Sequence, residues 1–337
     1  MDRAMTEDTP LTTGADRRPR FYWVGTIAGV VLGAVLLVAV WGKALDPAAF
    51  AEQIRSEGLS FLVSAQGVAL LALALEAGLG LALLFGVRRL WVLVPAALLV
   101  GLFLSLTGRD WYLSSHGLRT AAAGCGCFGN LVQRSPAEAF WQDLLLLLPA
   151  LALAFLGRDR RGRRFPPLRT AIVALGTVAV SVFAWKSPQL PLDDLATRLR
   201  PGTQVSQICA GQSGDPLCLS TVAGDLMKGD HLVVIADLSD PAFRQSVPAL
   251  NDAAGDPQGP RIWVLSAATP EQLFNFRWTQ GPVFQVVEAP AELLRPLYRH
   301  LPRAFRVKDG QVVETWAGLP PLVRVASGSP SLARTPA

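Results

Sequence analysis

A chain of 337 residues with 51% hydrophobic and only 17% charged residues is too apolar for an ordinary soluble domain, and its mean hydropathy is +0.34. The net charge of +5 does not point to nucleic acid, because the arginines cluster beside apolar runs, where they act as topology signals. The apolar excess lies in the first 187 residues, and the rest reads as a soluble globular domain.

Residues 1–20 are polar, carry Pro10, Gly14 and Pro19, and end in Asp16-Arg17-Arg18-Pro19-Arg20, which predicts a disordered cytoplasmic tail. Phe21 to about Val40 is apolar, with Tyr22 and Trp23 at one edge and Trp41 at the other, the pattern of a membrane span. The run is long for a signal peptide, and Trp41-Gly42-Lys43 stands where a small-residue cleavage site belongs, so it reads as an uncleaved helix. Asp46 to Glu57 suits a short amphipathic helix at the interface. Further spans are predicted from about Leu59 to Phe85, Leu90 to Leu106, Trp141 to Leu156 and Thr170 to Trp185.

With five spans, the tail, the Arg88-Arg89 turn and the Arg158–Arg169 loop share one side, which the positive-inside tendency makes cytoplasmic. The predicted location is a bacterial inner membrane, with the loop after the third span and everything after Ser187 outside, in an oxidising compartment.

That outer loop holds Trp111, His116, Arg119 and the stretch Gly124-Cys125-Gly126-Cys127-Phe128-Gly129, with two of only four cysteines. A disulfide needs Cα atoms roughly 4.4–6.8 Å apart, and an extended i, i+2 pair lies at the top of that range. The chain must bend, and the glycines allow it. A strained bridge of this kind is easily reduced, so Cys125 and Cys127 are the candidate redox pair. The plain alternative is a structural turn with inert thiols. A zinc site would need two more ligands, and His116 lies outside the usual close spacing, so no metal is expected.

Glu76 falls about a dozen residues from Arg88, hence near mid-bilayer at roughly 1.5 Å per residue. A carboxyl there is either a proton or substrate contact or a helix-packing hydrogen bond. Gly78 and Gly80 would let a neighbouring helix approach closely.

Residues 188–229 read as a polar connector in which Cys209 and Cys218 are disulfide candidates around Gly211, Gly214 and Pro216. Beyond it, strands are predicted at His231–Ala236, Arg261–Ser266 and Pro282–Val287, with helices at Asp240–Ala254, Thr269–Phe276 and Ala289–His300. A hairpin over Ala304–Val307 and Gln311–Trp316 turns at Asp309-Gly310. This is an α/β domain with a central sheet over 230–318, followed by a proline-bearing tail, 319–337.

Two resemblances attach to these residues. Residues 21–157 resemble the MauE branch of the DoxX-like four-helix membrane proteins, through Lys43-Ala44-Leu45-Asp46-Pro47 with Phe50, Glu76, and Cys125-Gly126-Cys127-Phe128-Gly129. The basic loop and fifth span, 158–187, would be an addition to that bundle. The 230–318 segment resembles the thioredoxin-like domain of the partner protein MauD. Pro248 fits its helix proline, Pro302 its cis-proline and Gly318 its closing glycine, which puts Asp240 and Phe243 where the two thiols belong. The resemblance therefore implies a thioredoxin scaffold without thioredoxin chemistry.

Together these imply periplasmic thiol–disulfide or redox maturation, in the family's case of methylamine dehydrogenase. No resident cofactor is implied; a membrane quinone is the candidate electron acceptor. The partners implied are the lipid bilayer and a periplasmic redox client. The rival is a non-catalytic assembly factor whose thioredoxin-like domain grips a client.

Overall fold

The structure, a computed structural model, describes residues 22–58, 64–117, 134–159, 167–210 and 216–321. The helical part consists of α1 (Tyr22–Leu45), the short α2 (Pro47–Ser56), α3 (Ala65–Leu84), α4 (Leu90–Ser115), α5 (Pro136–Leu156) and α6 (Pro167–Lys186). Five of these are long and apolar enough to cross a membrane. The third and fourth spans are longer than predicted: α4 runs on through Trp111, and α5 starts at Pro136 behind the Ser135/Glu138 capping box. Hydropathy marks the lipid-facing stretch, whereas the helices continue through polar turns beyond it.

Helix α1 packs on α3 and α5 through Ala28, Leu32 and Leu36, spaced four apart on one face. Side chains on the opposite faces, such as Ile27, Leu71, Leu98 and Leu145, are exposed, as suits contact with lipid. The α1–α3 contact is close because it is glycine on glycine: a Cβ on Gly33 would lie 2.6 Å from the Gly80 carbonyl oxygen. Gly78 faces Thr177 of α6, so the two glycines of α3 receive two different helices. Helix α6 stands at the edge of the bundle, with Ala184 its one buried residue.

One end of the bundle is tied by Arg88. Its guanidinium donates to the carbonyl oxygens of Tyr22 (3.1 Å) and Gly157 (2.5 Å) and pairs with Asp159 at 3.5 Å. The start of α1, the α3–α4 turn and the end of α5 thus meet at this basic end. At the other end, Arg109 near the end of α4 pairs with Glu57, just after α2, at 2.8 Å.

After α6 the chain makes α7 (Asp193–Ala196), β1 (Cys209–Ala210), β2 (Leu217–Cys218), α8 (Leu219–Val222), β3 (Asp230–Ile235), α9 (Pro241–Ala254), β4 (Arg261–Ser266), α10 (Pro270–Gln280), β5 (Gln285–Glu288), α11 (Ala291–Leu294), β6 (Arg303–Lys308) and β7 (Gln311–Ala317). The main sheet has the order β5-β4-β3-β6-β7. Strands β3, β4 and β5 are parallel, while β6 and β7 run antiparallel, joined by Asp309 and Gly310, both at positive φ. The Leu301–Pro302 bond is cis. Parallel βαβ units closed by an antiparallel hairpin with a cis-proline before it make this a thioredoxin-like domain behind a helical membrane bundle.

Both sheet faces are covered. On one, α9 and α10 bury Phe243, Val247, Leu250 and Phe276. On the other lie Leu199, Val205, Ile208, Leu219 and Leu226. The stretch expected to be a connector therefore contributes Leu199, Val205, Ile208, Ala210, Leu219, Ala223 and Leu226 to the core on that face, and its described residues are packed as part of the domain. Its apolar residues are spaced singly among polar ones and carry no period that sequence reading detects. The predicted helix over Ala289–His300 is also shorter: Pro296 has no N–H to extend the α-helical ladder, and α11 gives way to a 3₁₀ turn at Arg295–Leu297.

Candidate functional site

The candidate site begins in the half of the bundle away from Arg88. Near the end of α1, the Lys43 ammonium donates to Glu76 Oε1 of α3 at 2.6 Å, with both side chains 1% exposed. Side chains on a helix lean towards its N-terminus. Lys43 therefore reaches down into the bundle and meets a carboxyl that sits deeper. The rings of Phe50 in α2 and Phe103 in α4 flank the ammonium at 4.8 and 4.7 Å. Glu76 Oε2 is buried without a hydrogen-bond partner among the described residues. A charge pair this deep is held by mutual attraction and aromatic faces, with one acceptor left over. Further polar residues are buried in the same half, among them Thr107, Asp110 and Asp143. Asp143 pairs with Arg134 at 3.0 Å.

Asp46 stands three residues beyond Lys43. Its Oδ1 accepts from Ala49 N at 3.1 Å and starts α2, with Pro47 at the first helical position. Its other oxygen faces Arg295 of the thioredoxin-like domain at 3.7 Å. That domain thus sits on the end of the bundle that holds the Lys43–Glu76 pair.

The face it presents is the one around Pro302. Ile235 pairs with Arg303, so the loop after β3 and the turn before β6 meet at one end of the sheet. Asp240 and Phe243 follow that loop. Asp240 caps α9 through Ala242 N at 3.0 Å. Phe243 is 1% exposed and stacks on Phe276 at 6.1 Å. Asp240 is thus a capping carboxylate and Phe243 a core ring, and neither is a redox group. Arg299 donates to the carbonyl oxygens of Ser187 (2.7 Å) and Leu190 (3.1 Å), and Ser187 Oγ donates to the Leu45 carbonyl at 2.9 Å. Arg303 is buried against Asp193 (3.3 Å) and Asp194 (2.6 Å). Tyr298 lies in the same turn. Burial raises it above the ordinary tyrosine value, the carboxylates of Asp237 and Asp46 add to the rise, and Arg295 opposes it.

Cys209 and Cys218 are joined in a disulfide across the β1–β2 pair. Cys125 and Cys127 lie outside the described residues. Helix α4 ends, and α5 begins, at the end of the bundle opposite Arg88.

Sequence reasoning named Glu76, and Lys43 within the stretch that resembles the family, but did not pair them. A lysine two residues from a helix end reads as an interfacial charge that snorkels outward. Arg295, Arg299 and Arg303 were missed as well. The signal available was the spacing of these three arginines, four apart at 295, 299 and 303, around Pro302.

Residues 21–156 match the family model for methylamine utilisation protein MauE. Solved thioredoxin-fold structures align with the C-terminal part. A putative thiol:disulfide interchange protein DsbE from Chlorobium tepidum is 17% identical, with 39% of this chain and 99% of that chain covered at a TM-score of 0.31. The thioredoxin domain of a thiol-disulfide oxidoreductase from Bacteroides vulgatus is 15% identical, covering 35% and 88% at 0.28. A secreted Mycobacterium tuberculosis disulfide oxidoreductase homologous to E. coli DsbE is 12% identical, covering 38% and 92% at 0.26. No protein of curated function matches the chain.

Proposed function

We propose that this chain is an inner-membrane protein of thiol–disulfide maturation outside the cytoplasm, with Cys125 and Cys127 as its exchanging pair. The carrying observation is the fate of the cysteines. The chain has four. Two are joined as Cys209–Cys218, and the matched thioredoxin positions hold Asp240 and Phe243. Only Cys125 and Cys127 are left to exchange. They fall inside the MauE-matching stretch, where the maturation of an amine dehydrogenase or another disulfide-rich redox protein is the family-level expectation. Exchange proceeds by attack of one thiolate on a client disulfide, forming a mixed disulfide that the second thiolate resolves. The pair is then left oxidised and the client reduced; the reverse sequence oxidises the client. Continued oxidation of clients requires an electron acceptor, for which a membrane quinone is the candidate.

Orientation supports this placement. Arg88, Asp159 and the chain around Tyr22 gather at one end, and in sequence the arginines at 17–20 directly precede Tyr22 and those at 158–169 directly follow α5. Under the positive-inside tendency that end is cytoplasmic, and a disulfide at the opposite end suits an oxidising compartment. Titration with dithiothreitol followed by alkylation and mass spectrometry tests the assignment. Cys125 and Cys127 should become reducible before Cys209 and Cys218. The reading fails if Cys209 and Cys218 open first, or if Cys125→Ser leaves client maturation intact.

A further inference from the structure

In the described chain, the face around Pro302 is already occupied. Arg299 and Arg303 flank that proline, are 4% and 1% exposed, and spend their guanidinium groups on residues 187–194. This is good helix chemistry. The C-terminus of α6 exposes carbonyl oxygens and about half a negative charge, and Arg299 donates to the Ser187 and Leu190 carbonyls just beyond it. Ser187 in turn satisfies the Leu45 carbonyl at the end of α1. Two spans therefore end against one turn of the thioredoxin-like domain. Arg295, on the same turn, adds the contact to Asp46.

From Asp46 the contacts run on without a break. Asp46 begins α2, α2 carries Phe50, and the Phe50 ring lies over the Lys43 ammonium that pairs with Glu76. We propose that the Pro302 face has exchanged clients for an internal partner, the outer end of the chain's own bundle, and that through Asp46 the docked domain positions the Lys43–Glu76 pair. Arg295, Asp46 and Phe50 are positioning residues in this scheme. It also removes that face from client binding, so a client must meet the protein elsewhere. The inference is independent of whether Cys125 and Cys127 exchange disulfides.

The test uses the full-length protein in native membranes. Dicyclohexylcarbodiimide, an apolar reagent for buried carboxyl groups, is applied, and modification of Glu76 is followed by mass spectrometry. Hydrogen exchange over residues 187–196 is read in parallel. Arg295→Ala should raise both rates by roughly two- to fivefold, the scale of a partly exposed ion pair. Arg295→Lys, which keeps the charge, should stay within about twofold of the wild type. Arg299→Ala should raise exchange further, because it removes buried charged hydrogen bonds. If exchange rises while Glu76 modification stays at the wild-type rate, the coupling to the pair is wrong. If neither changes in Arg295→Ala or Arg299→Ala, and both variants keep the wild-type unfolding transition, the docking is wrong.

Discussion

Removing one member of the Lys43–Glu76 pair should cost far more than removing both. At 2.6 Å and an effective dielectric of about 20, the attraction between unit charges is roughly 6 kcal/mol. A charge in the middle of a span costs about 2.5–3.5 kcal/mol, and Lys43, near the end of α1, less than Glu76, so the two together cost at most about 5–7. The pair nearly breaks even. Lys43→Met or Glu76→Leu alone leaves an uncompensated buried charge and should destabilise by about 3–5 kcal/mol. The double variant should lie within about 2 kcal/mol of the wild type. Lys43 is close to the end of α1, so its ammonium can escape outward when Glu76 is lost. Glu76 is deeper and has no such route, and Lys43→Met should be the worse single change. Reversible unfolding in detergent, carried through the four proteins as a double-mutant cycle, measures the coupling. Additive losses, with the double variant as poor as the two singles summed, would refute the reasoning.

Opening the Cys209–Cys218 disulfide frees a ten-residue loop at the edge of the domain core. Changing both cysteines to serine should cost about 2.7 kcal/mol by the loop-entropy relation, visible as a lower midpoint in the same unfolding assay. The protein with Cys125→Ser and Cys127→Ser should reduce insulin no faster than background if Asp240 and Phe243 stand where a thioredoxin carries its thiols, as the resemblance implies; turnover in that variant would show the domain to be active. Tyr298 has a raised folded-state value, so its neutral form favours the folded state. That contribution is complete below the ordinary tyrosine value near 10 and is lost as pH rises through the higher folded one. Exchange over residues 187–196 should accelerate in that alkaline window, and Tyr298→Phe should flatten the acceleration.

The spans, the hairpin and the thioredoxin-like scaffold were legible because each rests on a local pattern. Apolar runs of about twenty residues mark helices in lipid. Asp309-Gly310 marks a two-residue turn, and Pro248 and Pro302 keep a fixed spacing from the strand at 230–235. What escaped was non-local. Leu199, Val205 and Leu226 are single apolar residues in a polar stretch. Only the sheet they cover gives them meaning. Lys43 meets Glu76 across 33 positions, and Arg299 meets Ser187 across 112. No window of sequence contains either pair. Glu76 was visible as an oddity because a carboxylate in an apolar run is costly wherever its partner lies. Lys43, near a helix end, was visible only as part of the family-like stretch, with nothing to mark it as that carboxylate's partner.

The most direct test of the redox assignment is to trap the exchange in cells. A Cys127→Ser variant retains Cys125 but lacks the thiol that would resolve a mixed disulfide. Expressed in its native host and quenched with acid, it should accumulate a disulfide-linked adduct through Cys125 that reductant releases and that Cys125→Ser abolishes. If no adduct forms, and both serine variants are stable and support full client maturation, the cysteines form only a turn. The chain is then a non-catalytic assembly factor.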